Sequence, residues 1–531
     1  MFRPILFLLF ILVCKNIPSS HSLPLSTHKS WIVDETGRRV KLTCANWPSH
    51  VDTMLAEGLD KQPLPVLASE AVAQKFNCIR LTWATYMWTR PSYGSLTVEE
   101  SFRRHNLTKA IAGITKHNPY LLHMTLVQAY DTVVDVLGAY GLMLLLDNHV
   151  SYPTWCCGYD DGNGFFGDKY FNAEEWQLGL RTIARRYRGK TQVIAIGMRN
   201  ELRGPRENLN DWYRYVPEAA KQIHEANPDV LVFMSGIGYA TDLSYLKDRP
   251  LGFNLDNKLV FETHLYAFTA APDSHWVQRP VNEVCYTRIK ALEDKLAFVT
   301  KGDNPTPLVL TEVGVNQQHF SPAHDRFLSC FQAYIAQRDL DWGLWAFQGG
   351  YYIRENQIGT DEEFGVLDIS WNRIRNPTIQ NRLEFAKRQS QDPDSITSAA
   401  YVLYHPLTGT CVRTNSKNRI YAGSCRAWSR WYHDADEAPI RLMYTNVCIK
   451  AVGDGLPPIL STECLIPQSS WKLTSNSSHH LAARDEKGEQ LCLHMDPNNE
   501  IVTRKCICVG DDPKCLDDPT TQWFQLALRN V

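Results

Sequence analysis

The chain has 531 residues, with 55 basic and 57 acidic side chains and a formal charge of −2. That length exceeds one ordinary domain and suits a large unit joined to a smaller one. The charges are interspersed and nearly balanced, so neither nucleic acid nor an anionic membrane surface is expected as a partner.

At the N-terminus, Arg3 precedes an apolar run from Ile5 to Cys14, followed by Pro18-Ser-Ser-His-Ser22. This is the layout of a cleaved secretory signal covering residues 1–22. The run is too short to span a bilayer, and no later run resembles a membrane span. Of the fifteen cysteines, Cys14 would leave with the leader. The even remainder suits disulfides in an oxidising compartment. Asn106-Leu-Thr108 and Asn476-Ser-Ser478 read as N-glycan acceptors. The expectation is a secreted, extracellular monomer.

From Trp31 to about Arg388, short apolar runs alternate with longer amphipathic ones. Strands are predicted at 40–44, 78–81, 142–147, 193–198, 230–235, 259–264, 308–311 and 342–347. Between them lie helical patterns such as Leu126, Tyr130, Val133, Val134 and Leu137, whose spacing marks one buried face. Near-continuous apolar strands separated by helices imply a parallel sheet covered on both faces. Eight such units close most economically into a (β/α)8 TIM barrel, taken here as 23–388, an α/β fold. A doubly wound open sheet is the alternative, but its Gly-rich turn is missing after the first strand, where the chain reads Lys41-Leu-Thr-Cys-Ala-Asn-Trp47.

Residues 389–398 are polar, contain a proline and read as a linker. Beyond it, Thr410-Cys-Val-Arg413, Val447-Cys-Ile-Lys450 and Leu491-Cys-Leu-His494 repeat one pattern. Each is followed by a second cysteine, at 425, 464 and 506, and by a tryptophan, at 431, 471 and 523. Threefold repetition with one bridge per unit fits a small disulfide-stapled all-β domain at 399–531. Cys508 and Cys515 are left to pair with each other or with near neighbours.

In a (β/α)8 barrel, reactive groups gather at the C-terminal ends of the strands. Read in order, strand two ends in Arg80, strand three in Asp147-Asn148-His149, strand four in Asn200-Glu201, strand six in His264-Leu-Tyr266 and strand seven in Glu312. Strand eight contains Trp345. Asn-Glu also occurs at 282–283 and 499–500, but only Asn200-Glu201 follows a strand. Two carboxylates at the ends of two buried strands are what glycosidic bond cleavage by an acid and a nucleophile requires.

Over roughly residues 31–388, this constellation resembles the retaining glycosidases of glycoside hydrolase family five, which place their two glutamates after strands four and seven. Counterparts exist for Arg80, His149, Asn200, Glu201, His264, Tyr266, Glu312 and Trp345. The resemblance implies Glu201 as acid/base and Glu312 as nucleophile. Arg80 would hold Glu312 charged and Tyr266 would donate a hydrogen bond to it. Asn200 would bond the sugar 2-hydroxyl, His149 and His264 would be polar ligands of the sugar and of the acid/base, and Trp345 would floor a pyranose. No cofactor is implied. A metal at His149 and His264 is disfavoured because no carboxylate or cysteine stands beside them at ligand spacing. A serine esterase lacks its Gly-x-Ser-x-Gly elbow.

Residues 155–168, directly after strand three, combine two adjacent cysteines with glycines and aromatics. They are expected to form a disulfide-pinned loop that shapes the cleft, with calcium binding at Asp160, Asp161 and Asn163 the weaker alternative. The C-terminal repeats resemble a ricin-type β-trefoil, a fold associated with sugar binding. They depart from galactose binders at Arg413, Lys450 and His494, where Asp is common, and at Ser429, Ser469 and Thr521, where Gln is common. The resemblances together imply a β-glycosidase of the cellulase and mannanase kind acting on β-linked poly- or oligosaccharides, with possible glycan contact by the trefoil. Transglycosylation through the same covalent intermediate is a minor route. A catalytically silent carbohydrate-binding protein is the rival.

Overall fold

In the computed structural model, which describes residues 23–426, 429–510 and 512–531, the apolar runs form eight strands. They are β1 (Thr43–Trp47), β2 (Cys78–Ala84), β3 (Met143–Val150), β4 (Val193–Gly197), β5 (Leu231–Ser235), β6 (Leu259–Tyr266), β7 (Leu308–Gly314) and β8 (Asp341–Leu344). All pair in parallel in chain order, and β8 returns to β1 through Trp342 and Thr43, which closes the barrel and excludes an open sheet. The expected leader lies outside the described residues.

Side chains alternate between the barrel interior and the helix layer, as the two-residue period of a strand requires. Cys44, Cys78, Leu145, Phe233, Val260 and Val309 pack inward with Leu25 and Ile32, just before and within a short hairpin beneath the barrel (Ser26–His28 and Trp31–Val33). Ile79, Leu81, Leu144 and Leu146 face outward into the helix-packed core. The helix Leu126–Ala139 buries Leu126, Tyr130, Val133, Val134 and Leu137, the stripe its sequence spacing predicts.

Several expectations about strand ends need correction. β3, β6 and β7 run on to Val150, Tyr266 and Gly314, so His149, Tyr266 and Glu312 lie within the strands and not beyond them. β1 begins later than its apolar run, because Val40 and Leu42 fill the barrel floor instead. β2 runs on to Ala84, so Arg80 lies within the strand and not at its end. β8 stops at Leu344, leaving Trp345 just beyond it: the Trp345 and Phe347 amides still reach Val313 O and Asn46 O of the neighbouring strands, and the chain then turns, with Gln348 N donating to Ala346 O.

Residues 389–398 contain no helix or strand. Their first part is pinned, since the Ser390 and Gln391 amides donate to Asp339 Oδ2 at 2.9 and 2.8 Å. The chain beyond is all β and holds the disulfides Cys411–Cys425, Cys448–Cys464, Cys492–Cys506 and Cys508–Cys515. The repeat tryptophans Trp431, Trp471 and Trp523 are buried. Its first strand, Ala400–His405, pairs antiparallel with its last, Gln525–Arg529.

This region is built into the barrel wall. Trp523 Nε1 donates to Asn282 Oδ1 at 3.0 Å, Tyr404 donates to Gln332 Oε1 at 3.0 Å, and the Tyr404 ring stacks on Phe385 at 4.5 Å. Arg326 pairs with Asp518 at 2.8 Å.

Three buried histidines make this region acid-sensitive. Burial is the main cause that depresses His405 to about 3, His479 to about 4 and His480 to about 3, from an ordinary 6.5. In the unfolded chain they take up protons below 6.5, whereas in the folded chain they stay neutral. Their stabilising contribution is therefore whole above pH 6.5 and declines as pH falls, toward about 4 for His479 and about 3 for His405 and His480. Each neutral buried histidine steepens the loss by up to about 1.4 kcal/mol per pH unit. Calorimetric unfolding between pH 7.5 and 4.5 should show a falling midpoint, with a shallower fall in His405→Asn.

Candidate active site

A cavity of about 950 Å³ opens at the C-terminal end of the barrel, lined by His149, Asn200, Glu201, His264, Tyr266, Glu312 and Trp345 among others. Seven of the eight side chains singled out in the sequence thus share one wall. The eighth, Arg80, lies beneath it, fully buried in the barrel interior.

Strand alternation and one irregularity place them. Val260, Glu262 and His264 share the inward face of β6, and Leu145, Asp147 and His149 that of β3. On β7, Thr263 opposes Leu310 while His264 opposes Glu312, and on the other side Trp342 opposes Leu310 while Leu344 opposes Val313. Both neighbours therefore see one extra residue in β7, a β-bulge at Thr311-Glu312. The bulge lets two successive side chains serve the interior: Thr311 Oγ1 donates to Glu262 Oε2 at 2.8 Å, and Glu312 reaches Arg80.

Arg80 is the hub. Nη1 donates to Glu312 Oε1 at 2.6 Å and to Asn46 Oδ1 at 2.9 Å; Nη2 donates to Asn200 Oδ1 at 2.8 Å. Nη2 also lies 2.9 Å from Asp147 Oδ1 and 3.7 Å from Glu262 Oε2. Tyr266 donates to the other Glu312 oxygen at 2.8 Å. His264 Nδ1 lies 2.7 Å from Glu201 Oε1 and 3.7 Å from Glu312 Oε2. One oxygen of each glutamate and one His264 nitrogen all fall within 4.8 Å of one another.

The electrostatics separate these groups. Burial pushes the Glu312 carboxyl up, but His264, Arg80 and the Tyr266 hydroxyl more than offset it and hold Glu312 below the usual value. Burial raises Asp147 and Glu262 despite Arg80. Burial likewise disfavours a charged His264, yet Glu312 and Glu201 raise it on balance, whereas burial keeps His149 neutral. His149 holds Asp147 Oδ2 at 2.8 Å and stacks on Trp345, centroids 5.6 Å apart.

Three sets of donor atoms among the described residues come within metal-ligand reach: His149 with Cys156 and Cys157, Cys508 with Cys515 and Asp517, and Glu201 with His264 and Glu312. In the first two the sulfurs are tied in disulfides and offer no thiolate. In the third, Arg80, Tyr266 and His264 already occupy the carboxylates. The 155–168 loop is held by protein groups as well. Asn163 Oδ1 accepts the Ser151 and Tyr152 amides at 3.0 Å each, and Asp161 pairs with Arg203 at 2.5 Å, which favours cleft shaping over calcium.

The sequence reading passed over Asn46, His50, Asp147 and Glu262 as site groups. A signal for two of them was present: Glu262 and Asp147 stand two positions before His264 and His149 on predicted strands, hence on the same face.

Comparison with known proteins agrees with this geometry. Residues 33–350 match the family model described as cellulase, glycosyl hydrolase family 5. A glycosyl hydrolase 5 family protein of Chamaecyparis obtusa is 40% identical over 96% of this chain and 94% of its own length. The chain belongs to glycosyl hydrolase family 5. It is accordingly an O-glycosyl hydrolase. Endoglucanase B of Acetivibrio thermocellus is 24% identical over 64% of this chain and 68% of its own. The hyperthermophilic endocellulase of Pyrococcus horikoshii superposes with a TM-score of 0.55 at 18% identity, covering 70% of this chain and all of that one, which shows the shared barrel fold.

The two carboxylates set the state of His264, and this can be read directly. In nitrogen-15 NMR its imidazole should titrate above the ordinary 6.5, and Glu312→Gln should lower the midpoint by removing the charge that most favours the imidazolium. An unchanged midpoint would contradict the electrostatic account.

Proposed function

We propose that this protein is a secreted, retaining β-glycosidase that cleaves β-linked glucan or mannan type poly- or oligosaccharides by double displacement. The observation that carries the reading is the close approach of two differently supported glutamates, with one oxygen of each inside 4.8 Å. Retaining enzymes hold their carboxyls about 5–5.5 Å apart, whereas inverting enzymes leave about 6.5–9.5 Å for a water. Neighbours named as endoglucanase or endocellulase, one of them solved in complexes with cellotetraose, favour a glucan.

Glu312 attacks the anomeric carbon, and the groups that keep it ionised are those that suit a nucleophile. Glu201 donates a proton to the departing glycosidic oxygen, then takes one from the water that hydrolyses the glycosyl-enzyme. His264 bonds Glu201 and lies beside Glu312, so it can compensate charge as the proton moves. Asn200 bonds the sugar 2-hydroxyl, and Trp345 with His149 supplies a flat floor. The same covalent intermediate can pass to a sugar hydroxyl, so transglycosylation is a side reaction.

The 1–22 leader and the disulfides support secretion, and the protein acts as a monomer. We assign 23–388 to the catalytic unit, 389–398 to a connector and 399–531 to a ricin-type β-trefoil. Three similar disulfides and three buried tryptophans support that trefoil. Its docking against the barrel favours a stabilising role, with glycan contact secondary.

Glucan, mannan, xylan and aryl-glycoside panels test the reading. Wild type should release product of unchanged anomeric configuration by proton NMR, and Glu312→Ala should lose at least about a thousandfold in kcat. An inverted product, or equal activity in Glu312→Ala, would refute it. Tyr266→Phe removes a hydrogen bond that lowers the Glu312 pKa, so the acid limb of kcat/KM should move to higher pH. The rate at the optimum should fall by about 10- to 100-fold, the worth of a hydrogen bond to a charged group.

A further inference from the structure

Asn200 is held by two different kinds of neighbour. Its carbonyl oxygen accepts from Arg80 Nη2 at 2.8 Å. Its amide nitrogen faces the disulfide between the adjacent residues Cys156 and Cys157, 3.7 Å from one sulfur and 3.5 Å from the other. Both cysteines line the same cavity as Asn200, Glu201 and Glu312.

The chemistry of this wall suits the task. Disulfide sulfur is bulky, apolar and a weak acceptor. It fills space against the carboxamide and favours the flip state with nitrogen outward. It does so without the strong hydrogen bond that a carbonyl or carboxylate would make, so the amide hydrogens remain available to a sugar hydroxyl. Arg80, which only donates, enforces the same flip state from the opposite side. Two thiols would instead be separate rotors, each with a weak donor of its own.

The wall is fixed relative to the acid/base. Arg203, buried, donates Nε to Gly158 O at 2.9 Å and Nη1 to Glu201 O at 2.7 Å. One guanidinium thus ties the residue after the disulfide to the backbone of Glu201. On the other side Trp155 packs under Arg354, 3.7 Å from its ring centroid, and edge-on to Tyr351 at 5.2 Å.

We propose that the Cys156–Cys157 disulfide is a positioning element that holds the Asn200 amide toward the substrate 2-hydroxyl. The proposal rests on the glycosidase reading. Its effect therefore exists only on substrates that carry that hydroxyl.

The test compares wild type, Cys156→Ala/Cys157→Ala, Asn200→Ala and the triple variant on a dinitrophenyl β-cellobioside and its analogue lacking the 2-hydroxyl beside the leaving group. The double variant should lose about tenfold or more in kcat/KM on the hydroxylated substrate and little on the deoxy one. The triple variant should match Asn200→Ala, because two changes acting through one contact do not add. Equal losses on both substrates, additive losses, or no loss would overturn the proposal. Should the double variant fail to fold by circular dichroism, wild type treated with a mild reductant, with the opened pair located by alkylation and mass spectrometry, supplies the same comparison. Wild type inactive on both substrates and on the polysaccharide panel would sink the glycosidase reading and this inference with it. Wild type active with an unselective variant sinks only the inference.

Discussion

One guanidinium, Arg80, organises the barrel interior. It contacts Glu312, Asp147, Glu262, Asn200 and Asn46, and it is fully buried. A buried cation costs several kcal/mol in lost hydration unless carboxylates surround it, and a buried carboxylate needs such a cation in return. Here three carboxylates converge on one cation, and they are not equivalent. Glu312, additionally served by Tyr266 and His264, is stabilised as the anion, whereas burial raises Asp147 and Glu262. The barrel thus holds the acid at the mouth below the usual carboxylate value and the two acids behind it above theirs.

That division depends on backbone geometry as much as on charge. Without the extra residue in β7, Thr311 would serve the interior and Glu312 would turn toward the helix layer, since adjacent strand residues point to opposite faces. The bulge gives both residues to the site: Thr311 bonds Glu262 and Glu312 meets Arg80. Glu201 is placed differently, on the segment after β4, where Asn200 N donates to Asn148 O at 2.9 Å and Ser235 Oγ to Arg199 O at 2.7 Å. Glu201 is held by loop hydrogen bonds and Glu312 by the sheet.

Much of this was readable beforehand, for physical reasons that differ by element. Eight apolar runs separated by amphipathic ones could be counted because a parallel sheet covered on both faces must be apolar throughout. The pairings Cys411–Cys425, Cys448–Cys464 and Cys492–Cys506 followed from repetition along the chain. Strand ends were less legible. Apolar runs mark burial, and Val40, Leu42 and Phe347 are buried outside the strands. Asp147, which stands beside His149 at a predicted strand end, and Glu262, two residues before His264, belong to a charge network that continues one step deeper along the same strand faces.

The amino-acid sequence alone determined the barrel, the all-β region after it, and which two glutamates, with most of their neighbours, would meet at the barrel mouth. Each of these rests on local periodicity, or on the order of residues along strands whose reactive ends must share one rim. Only the tertiary structure decided which neighbour touches which acid. It placed Arg80 beneath the site, joined Cys156 to Cys157 against Asn200, and docked Trp523 onto Asn282 of the barrel. Those contacts join residues far apart in the chain through a bulge, a loop and an interface, and no pattern of short period encodes them.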